Sequence, residues 1–251
     1  MPEVTTHHWT ASDGVQLAYQ EVGEGRPVVL LHGLFSDADM NWIRFGHAGR
    51  IASEGFRAIL PDLRAHGLSG KPHGTEHYPP GILARDLREL IALLDLKEFD
   101  LGGFSLGART TVEGVGEGLR PRKAILGGSG LEGLRNWKRR KDFFLDAIAM
   151  FDKVERGDPH WLAIQFMKSQ KVDRVAAALL LESFEDTFMD WLQVFTMPTL
   201  VVCGSEDHDN GSGEDLAAAL PDGVFREVPG THMSSVTKPE FGEAIAEFLS
   251  D

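Results

Sequence analysis

Six short apolar runs, at residues 27–31, 57–60, 99–104, 123–126, 199–203 and 224–228, punctuate this chain, and they constrain its fold more than any other feature. Runs this short and this apolar suit strands buried on both faces of a parallel sheet. Between them lie stretches of helical periodicity. Residues 80–96 carry Ile82, Leu83, Leu87, Leu90, Ile91 and Leu94 at helical spacing with charges opposite, and 105–117 and 238–249 behave similarly. Ahead of them, 8–10 and 16–22 alternate about Asp13-Gly14 and read as an N-terminal hairpin. Strand-helix alternation of this kind predicts an α/β fold, a mostly parallel, doubly wound sheet of about eight strands that binds ligands at the carboxyl ends of its strands.

The alternation breaks once. Residues 131–195 show helical periodicity and no strand-like run, so they are expected to form a helical lid inserted into a core domain of residues 1–130 and 196–251. This insertion holds ten of the 22 aromatic residues, among them Trp137, Phe143, Phe144 and Phe151. A lid over an apolar pocket accounts for that density, and packing of the inserted helices on the sheet is the plainer alternative.

Composition removes several classes of function. The net charge of −13 opposes binding to nucleic acid phosphates, which needs clustered Lys and Arg to release counterions. The single cysteine, Cys203, leaves neither an intrachain disulfide nor a paired-cysteine redox or zinc motif, and its apolar strand predicts an inert buried thiol. Met1-Pro2-Glu3-Val4 begins neither a cationic nor an apolar leader, and no apolar run approaches the length of a membrane span, so the expectation is a cytoplasmic protein with no membrane partner.

Gly103-Phe104-Ser105-Leu106-Gly107 is a G-x-S-x-G sequence set between an expected strand and an expected helix. In that setting the serine occupies a strained turn that lifts its hydroxyl out of the sheet. A base and an acid belong later in the chain, in the order serine, acid, histidine. Asp207 follows the 199–203 run through Gly204-Ser205-Glu206, and His232 follows the last run through Pro229-Gly230-Thr231. His232 can then take the proton of Ser105, while Asp207 orients the ring and stabilises its charged form. Glu206 and Asp209 are close enough in sequence to compete for the acid's role. Two backbone N–H groups are needed for a developing oxyanion: that of Leu106, at a helix start, and that of Leu34, in the loop after residues 27–31.

Together with His32-Gly33, the stretch from Asp62 to Ser69, Gly204-Ser205-Glu206-Asp207 and Gly230-Thr231-His232, these residues resemble the α/β-hydrolase fold family, in its serine-nucleophile, esterase-like branch. The resemblance runs from Pro27 through the C-terminal helix and implies a helical cap after the sixth strand. It implies a serine hydrolase acting on small to medium apolar carboxylic esters, with no metal or organic cofactor. Thioester, lactone and carbon–carbon bond hydrolysis and cofactor-free perhydrolysis use the same triad, and a non-catalytic ligand receptor on this fold is the rival of another class. Ser105 stands where epoxide hydrolases and haloalkane dehalogenases of the family carry aspartate, which disfavours their reactions.

The remaining polar residues read more plainly. His32 is expected to bond loop backbone. The histidines at 66, 73, 77 and 208 lack metal-ligand spacing and are expected on surfaces or loops. Arg135, Lys138, Arg139, Arg140 and Lys141 form a basic cluster that reads as a solvated helix face, with a site for an anionic substrate group or a membrane surface as the alternative.

Overall fold

The computed structural model describes residues 3–135 and 137–251; Met1, Pro2 and Asn136 lie outside the described residues, so the reading of the first two as a leaderless start has no structural counterpart. Eight strands form one sheet: β1 (Val4–Thr10), β2 (Gln16–Val22), β3 (Arg26–Leu31), β4 (Phe56–Asp62), β5 (Asp100–Phe104), β6 (Ala124–Gly127), β7 (Thr199–Gly204) and β8 (Gly223–Val228). Their order in the sheet is β1-β2-β4-β3-β5-β6-β7-β8. The first two pairings are antiparallel and every later one is parallel.

The uniform apolarity of the central strands follows from their two covered faces. In β3, Val29 and Leu31 join one core cluster and Val28 and Leu30 join the other, as the two-residue period of a strand requires. The helices of the core domain are α1 (His47–Ala52), α2 (Ile82–Leu93), α3 (Leu106–Gly116), α8 (Gly213–Ala219), the short α9 (His232–Ser235) and α10 (Pro239–Ser250). Residues of α1 and α10, such as Ile51, Phe241 and Ile245, fill one core, and those of α2, α3 and α8, such as Leu87, Val112 and Leu216, fill the other. The hairpin is longer than its alternation suggests, because β1 begins at Val4, in a stretch of mostly polar residues on an exposed edge strand.

Between β6 and β7 the chain forms the helices α4 (Leu131–Leu134), α5 (Trp137–Ala149), α6 (Trp161–Ser169) and α7 (Arg174–Glu182), then a 3-10 segment over Met189–Val194. Their inner faces merge with the α2–α3 side of the core: Trp137, Ala147, Ile164, Met167, Leu180 and Leu181 are buried there. Asp173 caps α7 by accepting the N–H groups of Val175 and Ala176. Among the described residues no helix is long and apolar enough to cross a membrane.

Candidate active site

β5 ends at Phe104, and α3 begins two residues later, so Ser105 alone makes the reversal. It does so at φ 53° and ψ −109°, a conformation that a side chain rarely adopts. The two glycines of the motif permit the turn. A Cβ on Gly103 would lie 2.4 Å from the carbonyl carbon of Gly107, and one on Gly107 would lie 2.2 Å from the carbonyl oxygen of Leu31. The Ser105 N–H is fixed by the carbonyl of Gly127 at 2.8 Å. The hydroxyl is thereby held clear of the sheet, at the carboxyl ends of β3, β5 and β6.

His232 opens α9, where Thr231 forms a capping box with Ser234. Its ring rests on Phe104, with centroids 4.9 Å apart. Nε2 lies 3.1 Å from Ser105 Oγ and Nδ1 lies 2.9 Å from Asp207 Oδ2. With the proton on Nδ1, the ring donates to Asp207 and accepts from the Ser105 hydroxyl. Asp207 is positioned by the turn after β7, in which its N–H donates to the carbonyl of Gly204 at 2.9 Å. Of the three acids that compete in sequence, Asp207 is buried while Glu206 and Asp209 are exposed. Asp209 brings a carboxylate oxygen within 4.8 Å of ligand atoms of Asp207 and His232. The 2.9 Å contact between Nδ1 and Oδ2 requires a proton between them, which suits a hydrogen-bonded triad better than a shared metal ion.

The loop after β3 carries Leu34. The amides on either side of it are already engaged: Gly33 N–H donates to Asn41 Oδ1 at 2.9 Å and Phe35 N–H donates to His66 Nε2 at 3.0 Å. Those of Leu34 and Leu106 have no hydrogen-bond partner among the described residues. Phe35 is held at φ 62° with its ring edge-on to Phe144 of α5, 5.4 Å between centroids, so the cap packs directly on this loop.

His66 lies in a loop, as one of the two sequence alternatives had it, and not on the surface. It is only 3% exposed. Its Nδ1–H donates to the Arg64 carbonyl at 2.9 Å and its Nε2 accepts from Phe35. His32, as expected, bonds backbone: Nδ1–H donates to the Gly33 carbonyl and Nε2 accepts from Leu63 N–H. Neither Asn41 nor His66 carries a signal in sequence, since Asn41 acts on Gly33 eight residues back in an aperiodic segment and His66 acts on Phe35, 31 residues away. Asn210 was missed for the same reason; its amide donates to the Gly128 carbonyl at 2.7 Å beside the His232 ring. The basic cluster is corrected in part: Lys138 and Arg139 are exposed, whereas Arg140 turns inward and is half-buried. Cys203 is buried, and burial together with the neighbouring Asp207 pushes its thiol up to about 12.

Two of the buried imidazoles, His32 and His66, give the site a pH-dependent stability. Burial lowers His32 to about 4, against a partial rise from its bond to Gly33. Burial, with His32 as a further cause, lowers His66 to about 3. Each Nε2 faces an N–H donor, so a proton there would break the bond it makes. Because the folded pKa lies below the unfolded one, near 6.5, the unfolded state binds more protons as pH falls. Stability is therefore complete above pH 6.5 and lost between 6.5 and about 4, by on the order of 3 kcal/mol per ring at the lower limit. Denaturant titrations across that range should show the midpoint falling with pH in the wild type and falling less steeply in His66→Gln. Equal slopes would show that His66 is not one of the titrating groups.

An α/β sheet of this order, with a strained serine at the end of its fifth strand and a buried aspartate and a histidine on later turns, defines a serine hydrolase. Residues 28–245 match the model of the alpha/beta hydrolase family, and the chain belongs to that family. It is 27% identical to a non-heme chloroperoxidase from Kitasatospora aureofaciens over 96% of this chain and 98% of that one. It is also 31% identical to a non-heme haloperoxidase from Rhodococcus erythropolis over 79% of this chain and 81% of that one. Among solved structures, a thermophilic esterase from Thermogutta terrifontis superposes with a TM-score of 0.72 at 26% identity, covering 98% of each chain.

Proposed function

We propose that this protein hydrolyses small to medium apolar carboxylic esters through an acyl-enzyme on Ser105. The observation that carries the reading is the continuous relay from Ser105 Oγ through the His232 ring to the buried Asp207 carboxylate. His232 Nε2 takes the hydroxyl proton as Oγ attacks the ester carbonyl, and returns it to the departing alcohol. Water then attacks the acyl-serine by the same relay in reverse, releasing the acid and restoring Ser105. The unengaged amides of Leu34 and Leu106 suit the negative oxygen of both tetrahedral intermediates, where each such donor contributes about 2.7–4 kcal/mol.

Leu34, Phe35 and Leu106 share an apolar cluster with Leu131, Phe144 and Ile148 of the cap, which supports an apolar acyl group. In a p-nitrophenyl ester series, kcat/KM is expected to rise with acyl length to an optimum at short or medium chains and then fall. A series without length preference would overturn the apolar-pocket reading. A second reading, in which hydrogen peroxide replaces water and the product is a peracid, is supported by the likeness to proteins named as chloroperoxidase and haloperoxidase. Peracid formation from a short carboxylic acid and peroxide distinguishes the two.

A further inference from the structure

The free amide of Leu34 lies between two that are engaged, and three buried side chains account for the arrangement. The Gly33 N–H before it donates to Asn41 Oδ1 at 2.9 Å, and the Phe35 N–H after it donates to His66 Nε2 at 3.0 Å. The Gly33 carbonyl, in the same peptide as the Leu34 N–H, accepts from His32 Nδ1–H at 2.8 Å and from the Ser36 N–H at 3.2 Å. A trans peptide points its N–H and its carbonyl in opposite directions, so donors gathered on that carbonyl turn the Leu34 N–H the other way. The loop lies against the nucleophile at this point: a Cβ built on Gly33 would be 3.6 Å from the Ser105 Cβ.

The loop's own preference does not hold this arrangement. Phe35 sits at φ 62° and Ala65, beside His66, at φ 70°, conformations that a residue with a side chain keeps only where its surroundings impose them. The bond between the two loops is one such imposition. Phe35 is 2% exposed, so without His66 its N–H would be a buried donor lacking an acceptor, and its peptide would turn to find one. His66 is itself fixed in tautomer and position: its Nδ1–H donates to the Arg64 carbonyl at 2.9 Å, which leaves Nε2 as the acceptor. Arg64 is anchored in turn, because its fully buried guanidinium donates to both oxygens of Asp86, to Asp13 and to the His77 carbonyl.

We propose that His66 is a positioning residue for the oxyanion: by holding the Phe35 N–H, it keeps the Leu34 N–H directed at the carbonyl oxygen of the reacting ester. This rests on the acyl-enzyme reading and deepens it, giving a part in the reaction to a side chain that makes no hydrogen bond to the relay. The donors are placed for the oxygen of the tetrahedral intermediate and not for that of the bound ester, so loosening one lowers kcat and leaves KM nearly unchanged. The position needs only an acceptor within reach of Phe35. Glutamine, whose Oε1 accepts, can therefore replace His66, whereas phenylalanine keeps a ring and supplies no acceptor.

With p-nitrophenyl butyrate, His66→Phe is expected to lower kcat about 10- to 100-fold, approaching the loss of one whole donor, with KM within about threefold of the wild type. His66→Gln should recover kcat to within about fivefold of the wild type. Phenylboronic acid reads the same donors without turnover. Ser105 Oγ bonds to boron, its proton passes to His232, and the tetrahedral anion that results places an oxygen where the oxyanion would be. Its Kd should weaken by about tenfold or more in His66→Phe and recover in His66→Gln, since only an acceptor has been removed and restored. In crystals of the wild-type adduct, one boronate oxygen should lie within hydrogen-bond distance of the Leu34 nitrogen. Equal losses in His66→Phe and His66→Gln, a loss carried by KM instead of kcat, or an adduct whose oxygens avoid Leu34 would overturn the assignment. The crystal result decides even where His66→Phe does not fold. If the boronate adduct forms and no ester turns over, the ester reading fails alone, and the two boronate measurements still settle the role of His66.

Discussion

Replacing Ser105 by alanine is expected to lower kcat for ester hydrolysis by about 10⁴- to 10⁶-fold and to abolish labelling by a fluorophosphonate probe. The size of the effect follows from the step removed. Without Oγ there is no acyl-enzyme, and the His232 ring is left to activate water that the site does not position. Alanine retains the Cβ and inherits the same left-handed backbone at φ 53°, so the turn and its glycine contacts persist. An unchanged melting temperature alongside the lost activity would separate chemistry from folding. Wild-type turnover in the variant would sink the mechanism.

The second large effect is expected at Asp207. Asparagine there preserves shape, but its amide N–H₂ can face Nδ1 and hold the ring with its proton on Nε2. That proton then points at Ser105 Oγ, and the ring cannot accept the one the hydroxyl must lose. A loss of about 10⁴-fold in kcat is the expected size, at neutral pH. Glu206→Gln and Asp209→Asn, which alter exposed carboxylates, should each cost less than about tenfold. If Asp209→Asn proved the more damaging, the relay would run through the neighbouring carboxylate within 4.8 Å instead.

The parts of this molecule that were legible in its sequence are those governed by short-range rules. The strands β3 to β7 show because both their faces are buried, and Ser105 shows because its turn needs a small residue two positions either side. Choosing among Glu206, Asp207 and Asp209 is harder in principle. The turn after β7 selects one of them through a single backbone bond to Gly204, and composition is silent about that bond. His66 is invisible for a different reason: its role is to hold Phe35, 31 residues away, through a loop that has no periodicity. Within the basic run of α5, sequence places a charge at every position from 138 to 142, so only packing against Trp137 and the Asp209 carbonyl distinguishes Arg140 from its neighbours. The loop around Asp62 carries Ala65 at φ 70°, where a glycine would sit without strain.

All three residues of the relay come from the sheet's own turns, whereas the cap enters and leaves between β6 and β7 and contributes none of the hydrogen bonds that join them. The proton relay is therefore encoded outside the cap, whereas the apolar cluster beside it draws on both, with Leu34, Phe35 and Leu106 from the core and Leu131, Phe144 and Ile148 from the cap. Substitutions within the helices between β6 and β7 can therefore alter that cluster while leaving the three hydrogen-bonded residues in place. The constraint that survives such change is narrow: an altered cap must still offer Phe35 an aromatic edge and meet α3 at Arg109.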